Sequence, residues 1–283
     1  MSTDFTITKI FADQGNAEAQ YSLAIMYSNG RGVSQDYFKA AEWYLKAADQ
    51  GNAEAQYNLG VMYSNGQGVR QDYVKAAKWY LEAAVQGLPD AQYNIAVIYS
   101  RGQGVSQDYT NAIEWYQKAA DQGHAEAQYN LGLLYSNGRH IYQDYIKAVE
   151  LCQKAADQGH AEAQGRLGFM YENGQGVRQD YVEAAKWYLE AANQGDANAQ
   201  LNLCFLYQEG QGVRQDSDKA FEFCQKAAAQ GLPDAQFVSG ILYQEGQGVH
   251  QDYSEAKEWY GKACDNGLQS GCDQYRILNE QGY

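Results

Sequence analysis

The chain predicts an all-α fold: a solenoid of seven 36-residue helix–turn–helix repeats with a capping helix at each end. Three observations carry that reading. A Gln-Gly pair recurs at Gln14, Gln50, Gln86, Gln122, Gln158, Gln194 and Gln230, always 36 residues apart, and Asn266-Gly267 continues the series. Self-similarity at such a period marks a stack of equivalent supersecondary units. Each unit holds two stretches of helical period separated by Gly-x-Gly. The only prolines, Pro89 and Pro233, both fall at the first position of a predicted helix, where the missing N–H costs nothing.

Taken in order, residues 1–16 read as an N-terminal capping helix, because Phe5 to Asp13 resembles the last turns of a second helix. The seven units follow as 17–52, 53–88, 89–124, 125–160, 161–196, 197–232 and 233–268. In the second unit the first helix is AEAQYNLGVMYSN, with Ala55, Leu59, Met62 and Tyr63 on one face. Asn16, Asn52 and Asp196 precede first helices and suit an N-cap. Gly66 stops the helix, Gly68 completes a tight turn and Val69 plugs it. Asp72, like Asp36, Asp108, Asp144, Asp180, Asp216 and Asp252, caps the second helix and complements its positive end. That helix ends at the next Gln-Gly, with Gly as its C-cap. Residues 269–283 start one more first helix, with Arg276 at a position that is small elsewhere, and read as a C-terminal capping helix.

One amphipathic helix pair cannot bury its apolar face alone, so neighbouring units supply the core. Ala76, Ala77, Ala83 and Ala84 allow close helix approach, and tyrosines fill the gaps. All but Tyr142, Tyr275 and Tyr283 of the 25 tyrosines fall in four columns of the repeat. The five Trp share one column, completed by Leu151 and Phe223, which reads as packing.

The formal charge is −14, from 21 Lys+Arg against 35 Asp+Glu. So acidic a chain repels phosphate backbones, which argues against nucleic acid and for a basic or mixed-charge protein partner. No segment approaches the roughly 18 apolar residues of a membrane helix, so membrane insertion is not expected. The N-terminus carries Asp4 and no long apolar core, so no signal peptide is read and a cytoplasmic monomer is expected.

The pattern A-x-A-Q-Y-x-L-G-x-x-Y-x-x-G-x-G-V-x-x-D-Y-x-x-A-x-x-W-Y-x-x-A-A-x-Q-G resembles the Sel-one-like repeat (SLR), a relative of the tetratricopeptide repeat, and it covers nearly the whole chain. The resemblance implies a right-handed α/α superhelix, a bacterial source and a non-enzymatic scaffold or adaptor without cofactor. It also implies that first helices line a concave surface. On that surface the face opposite Ala55 and Leu59 forms two ladders. One is aromatic and apolar: Tyr57, Tyr93 and Tyr129, backed by Val61, Val97, Leu133 and Phe169. The other is amide: Asn58, Asn94 and Asn130, interrupted by Arg166 and resumed at Asn202. Tyrosines and amides suit an extended peptide, and the acidic rim at Glu18, Glu54, Asp90, Glu126 and Glu162 favours Lys or Arg in it. The competing reading is that these residues only pack first helices together.

Departures from the repeat mark where specificity could lie: Gly165-Arg166, Leu201, Phe237-Val238, and the fourth-unit loop His140-Ile141-Tyr142, which loses its second glycine and exposes a tyrosine. Cys152, Cys204 and Cys224 occupy core columns and read as buried thiols. Cys264 and Cys272 resemble the disulfide-bearing, cysteine-rich branch of the SLR family, which makes them a candidate disulfide and brings in a second function: hydrolysis of β-lactam or cell-wall-like substrates. A third is an exported effector or toxin-immunity protein binding one target. His124 and His160 lie one unit apart, too far to share a metal, and no nucleophile or phosphate-loop motif appears, so neither metal nor catalytic residues are expected.

Overall fold

Sixteen α-helices make up the residues described by a computed structural model of the chain, 3–283. Met1 and Ser2 of the N-terminal capping segment lie outside the described residues. Helix α1 is Thr3–Asp13. The seven pairs are α2 (Ala17–Asn29) and α3 (Tyr37–Asp49), α4 (Ala53–Asn65) and α5 (Tyr73–Val85), α6 (Pro89–Arg101) and α7 (Tyr109–Asp121), α8 (Ala125–Asn137) and α9 (Tyr145–Asp157), α10 (Ala161–Asn173) and α11 (Tyr181–Asn193), α12 (Ala197–Glu209) and α13 (Ser217–Ala229), α14 (Pro233–Glu245) and α15 (Tyr253–Asp265). Helix α16 is Gln269–Glu280. Two compact units divide the chain, residues 1–131 and 132–283.

The helix ends sit where the capping chemistry puts them. The Asn52 side chain accepts from the Ala55 N–H at 2.8 Å, and Asp72 accepts from the Lys75 N–H at 3.1 Å. His124 and His160 occupy the same N-cap column and accept through Nδ1 from Ala127 and Ala163, each at 3.2 Å. That explains the shared histidine column without a metal. Gly66, at φ +69°, is the left-handed C-cap of α4. The second helices end differently from expectation. Gln50 is the C-cap and Gly51, at φ +88°, lies one position beyond it. Gly51 N–H bonds Ala48 O at 2.9 Å and Asn52 N–H bonds Ala47 O at 3.1 Å, the two bonds of a Schellman motif.

The turn between the helices is tied by the Gln-Asp-Tyr run. In the second repeat Gln71 Nε2 donates to Ser64 O at 2.8 Å and to the Tyr73 hydroxyl at 3.1 Å, while the Asp72 N–H bonds Tyr63 O at 2.9 Å. The second turn glycine has a different job from the first. A Cβ on Gly68 would lie 2.3 Å from Tyr37 O, so this glycine lets the turn seat on the start of the previous repeat's second helix. In the fourth repeat His140 takes that place at φ +65°, the one non-glycine with positive φ among the described residues, and Tyr142 beside it is 95% exposed.

Candidate functional site: the face of the first helices

Helix α4 buries Ala55, Leu59 and Met62, as expected, and the other first helices bury the equivalents except Ala19 and Leu134, which are half-buried; Tyr63 is also only half-buried. The fourth and eighth positions complete the buried face: Gln56 and Gly60 in α4. The glutamine was not anticipated as a core residue, because a polar side chain reads as surface. Gln20, Gln56, Gln92, Gln128, Gln164, Gln200 and Gln236 are all buried. Burial of an amide without partners costs free energy, and here every one has them. Gln56 Nε2 donates to Ala48 O of the previous repeat at 3.1 Å, and its Oε1 accepts from Gln86 Nε2 at 2.8 Å. Gln86 is the glutamine of the next Gln-Gly pair. The same clasp joins Gln50 to Gln20 and Gln122 to Gln92 in the first unit, and Gln194 to Gln164, Gln230 to Gln200 and Asn266 to Gln236 in the second. The signal for it lay in the sequence: one glutamine column held constant in all seven copies and a second held in six, with Asn266 in the last.

The aromatic ladder is partly committed to packing. Tyr57 leans on Tyr80 of its own repeat at 5.9 Å between ring centroids, and Tyr93 on Tyr116 at the same distance. The amide ladder is bonded to it one repeat along: Asn58 to the Tyr21 hydroxyl, Asn94 to Tyr57 and Asn130 to Tyr93. Asn58 and Asn130 also donate to the Glu54 and Glu126 carbonyls, each at 2.9 Å. These residues, with Tyr129 and Asn202, are half-buried. The structure thus brings the tyrosines and asparagines together, with each other. Beneath them burial pushes the phenols up, Tyr44 and Tyr116 to about 12.

The apolar column on the same face is freer. Val61 and Val97 in the first unit and Leu133 and Ile241 in the second are half-buried, whereas Phe169 and Phe205 are 37% and 38% exposed. Exposed carboxylates flank the column at Glu54, Asp90, Glu126, Glu162 and Asp234. Leu201, in the tyrosine column, is instead buried with Cys204 and Ala220.

Arg166 has a structural role that its sequence position hides. Tyr44, Tyr80 and Tyr116 each bond the serine near the end of their own first helix: Ser28, Ser64 and Ser100. In the fourth repeat the tyrosine is Cys152, which cannot reach. Arg166 of the next repeat reaches the corresponding serine instead, with Nη2 donating to Ser136 Oγ at 3.0 Å and the guanidinium 5.1 Å from the Phe169 ring. A charged side chain stands in for a missing phenol. The tryptophan column is buried or half-buried and capped by lysines, as with Lys46 at 3.8 Å from Trp43 and Lys118 at 3.9 Å from Trp115.

The structure pairs Cys264 of α15 with Cys272 of α16 in a disulfide, Cα atoms 4.6 Å apart. Among the described residues no group of three or more His, Cys, Asp and Glu is placed to hold a metal ion. No described helix is long and apolar enough to cross a membrane.

The family model of the Sel1 repeat matches seven consecutive segments, residues 17–52, 53–88, 89–124, 125–160, 161–196, 197–232 and 233–268. The chain belongs to the Sel1 repeat family. Two solved Sel1 repeat structures are similar over almost all of it. One is a protective antigen of uropathogenic Escherichia coli with an SLR fold, 36% identical, TM-score 0.92, covering 100% of this chain. This chain spans 60% of that protein's length. The other is a Sel1 repeat protein from Oxalobacter formigenes, 35% identical, TM-score 0.79, covering 97% of this chain and 79% of its own. No curated protein sequence matches the chain. Sel1 repeats build a helical solenoid, a fold that serves protein interaction.

Proposed function

We propose that this Sel1 repeat protein is a non-enzymatic scaffold that holds an extended segment of another protein along the face of its first helices. The observation that supports the reading is the apolar column of that face, above all Phe169 and Phe205. They remain more than a third exposed on successive first helices, while the polar residues around them are tied into the stack. Large apolar side chains left open in a row are a contact surface. Leu133 belongs to the same column within residues 132–283, Val61 and Val97 hold the equivalent positions within residues 1–131, and within each of these the tyrosines and asparagines (Tyr57, Tyr93, Tyr129, Asn58, Asn94 and Asn130 in the first, Asn202 in the second) form the layer beside them. The carboxylates beside it select a segment with Lys or Arg flanking its apolar residues.

The test separates binding from folding. The purified chain is used as bait, the captured segment is synthesised, and its affinity is measured by calorimetry. Phe169→Asp with Phe205→Asp should weaken it at least tenfold, about 1.4 kcal/mol or more, and raised salt should weaken it further. Unchanged affinity in a variant with a native circular dichroism spectrum would sink the proposal. Tyr57→Ala is a poor probe by comparison, because it also removes the bond to Asn94.

A further inference from the structure

In the sixth repeat two columns change together. The first-helix position that is Gly60, Gly132, Gly168 or Gly240, or Ala24 or Ala96, elsewhere is Cys204, and the second-helix position that is tyrosine in every other repeat but the fourth, where it is Cys152, is Cys224. These columns face each other at close range throughout the array. A Cβ built on Gly60 would lie 2.7 Å from the Tyr80 ring, and one on Gly168 the same distance from Tyr188. The fourth repeat shows what the contact becomes when the partner is a cysteine: a Cβ on Gly132 would lie 3.0 Å from Cys152 Sγ. That is the separation, about 3 Å, that a Cβ–S–S–Cβ link imposes between one Cβ and the opposite sulfur. In the sixth repeat the Cβ is present and carries a thiol. Cys204 and Cys224 are free thiols in this structure, as the sequence reading expects, both fully buried in one cluster with Ala220 and Ala227; Cys224 Sγ donates to Ala235 O at 3.7 Å, and the Cys204 side chain hydrogen-bonds to Cys224.

We infer that Cys204 and Cys224 are a modification site, a second disulfide that locks α12 to α13 within the sixth repeat. The oxidant is an external disulfide, either oxidised glutathione or a protein dithiol-disulfide donor. The Cys224 thiolate attacks one donor sulfur, forming a mixed disulfide and expelling a thiolate. The Cys204 thiolate then attacks the Cys224 sulfur and expels the second. The two cysteines lose two protons and two electrons, and the donor is reduced to two thiols. In the packed repeat the bond between the two side chains pushes the Cys204 thiol up and draws Cys224 down. The Ser239 hydroxyl, where most repeats have Leu or Ile, also faces the Cys224 sulfur. Because both thiols are sealed from solvent, exchange takes place while α12 and α13 are apart, during folding or on local opening.

Refolding the full chain in a glutathione redox buffer, trapping free thiols with iodoacetamide and mapping the peptides tests this. The expected product carries Cys204–Cys224 together with Cys264–Cys272, leaving Cys152 as the one alkylated cysteine of the five. Cys224→Ala should then leave Cys204 alkylated and shift the reducible part of the unfolding midpoint to the C-terminal disulfide alone. Gly132→Cys is the geometric control, expected to join Cys152 under the same conditions. If Gly132→Cys cross-links while Cys204 and Cys224 stay alkylated, the site is not an oxidation site. If neither pair forms in chains with native helix content, the facing-column geometry itself is wrong. Either result overturns the inference.

Discussion

Replacing Gln56 with Met isolates the clasp between repeats. Methionine conserves volume, so the cavity contribution is small. What is lost is the bond to Ala48 O, the bond from Gln86, and a longer one to Glu82 Oε2 at 3.4 Å. Ala48 O keeps the Gly51 N–H at 2.9 Å, and the exposed Gln86 amide turns to water, so no group is left stranded. At about 1 kcal/mol per bond, Gln56→Met should cost about 2 kcal/mol. Gln86→Ala removes one bond but leaves the buried Gln56 oxygen with an unfilled acceptor site, again about 2 kcal/mol. In the double variant nothing remains to strand, so the total should stay near 2 to 3 kcal/mol and the coupling should be about 1 to 2 kcal/mol. A repeat array opens piecewise, so global denaturation blurs such a value. Native-state hydrogen exchange of the α4 and α5 amides reads it locally. Strict additivity, or a Gln56→Met cost under about 0.5 kcal/mol, would mean the clasp fills space without holding the repeats, and would refute the reasoning.

The two kinds of positive-φ glycine should separate. Gly51→Ala meets no atom within 4 Å and carries backbone strain alone, about 1 kcal/mol, whereas Gly68→Ala also drives a Cβ into Tyr37 O and should cost about 2 to 3 kcal/mol more, read by native-state hydrogen exchange of the flanking helices. Cys152→Tyr collides with Arg166, and Arg166→Asn empties the space, each costing about 1 to 3 kcal/mol. Together they restore the consensus pair and should match or exceed the parent by calorimetry, since Arg166 Nε has no partner. The buried phenols predict alkaline lability. Tyr44, Tyr116 and Tyr260 are raised by burial from 10.0 to about 12, so their contribution is intact below pH 10 and lost as pH rises through 12. Tyrosinate absorbance of the buried class should therefore rise together with helix loss; titration near pH 10 in a fully helical protein would contradict it.

Much of the architecture was legible because local chemistry sets it. Asp72 caps, Gly66 ends and the 36-residue step place each helix without tertiary information. What sequence reasoning missed depends on the offset between repeats, which a period does not reveal. Gln56 reads as polar until it is known to sit against the Ala48 carbonyl and the Gln86 amide at once. Asn94 reads as an open amide until Tyr57 is found on it. Arg166 reads as a break in a binding stripe because its cause, Cys152, lies fourteen residues earlier in a different column. The apolar part of the stripe was legible because one helix wheel places Val61 and Phe169.

The glutamine clasp also bears on how such arrays change length. At each junction the first-helix glutamine donates to an alanine carbonyl eight residues earlier, at the end of the preceding helix, so every junction has the same plug and the same socket. Duplicating or deleting a whole repeat re-forms the junction with equivalent partners. A single-residue insertion breaks it on both sides. Array length is therefore free to vary in whole units while the 36-residue spacing is held rigid, which is the pattern this chain shows from Gln14 to Asn266.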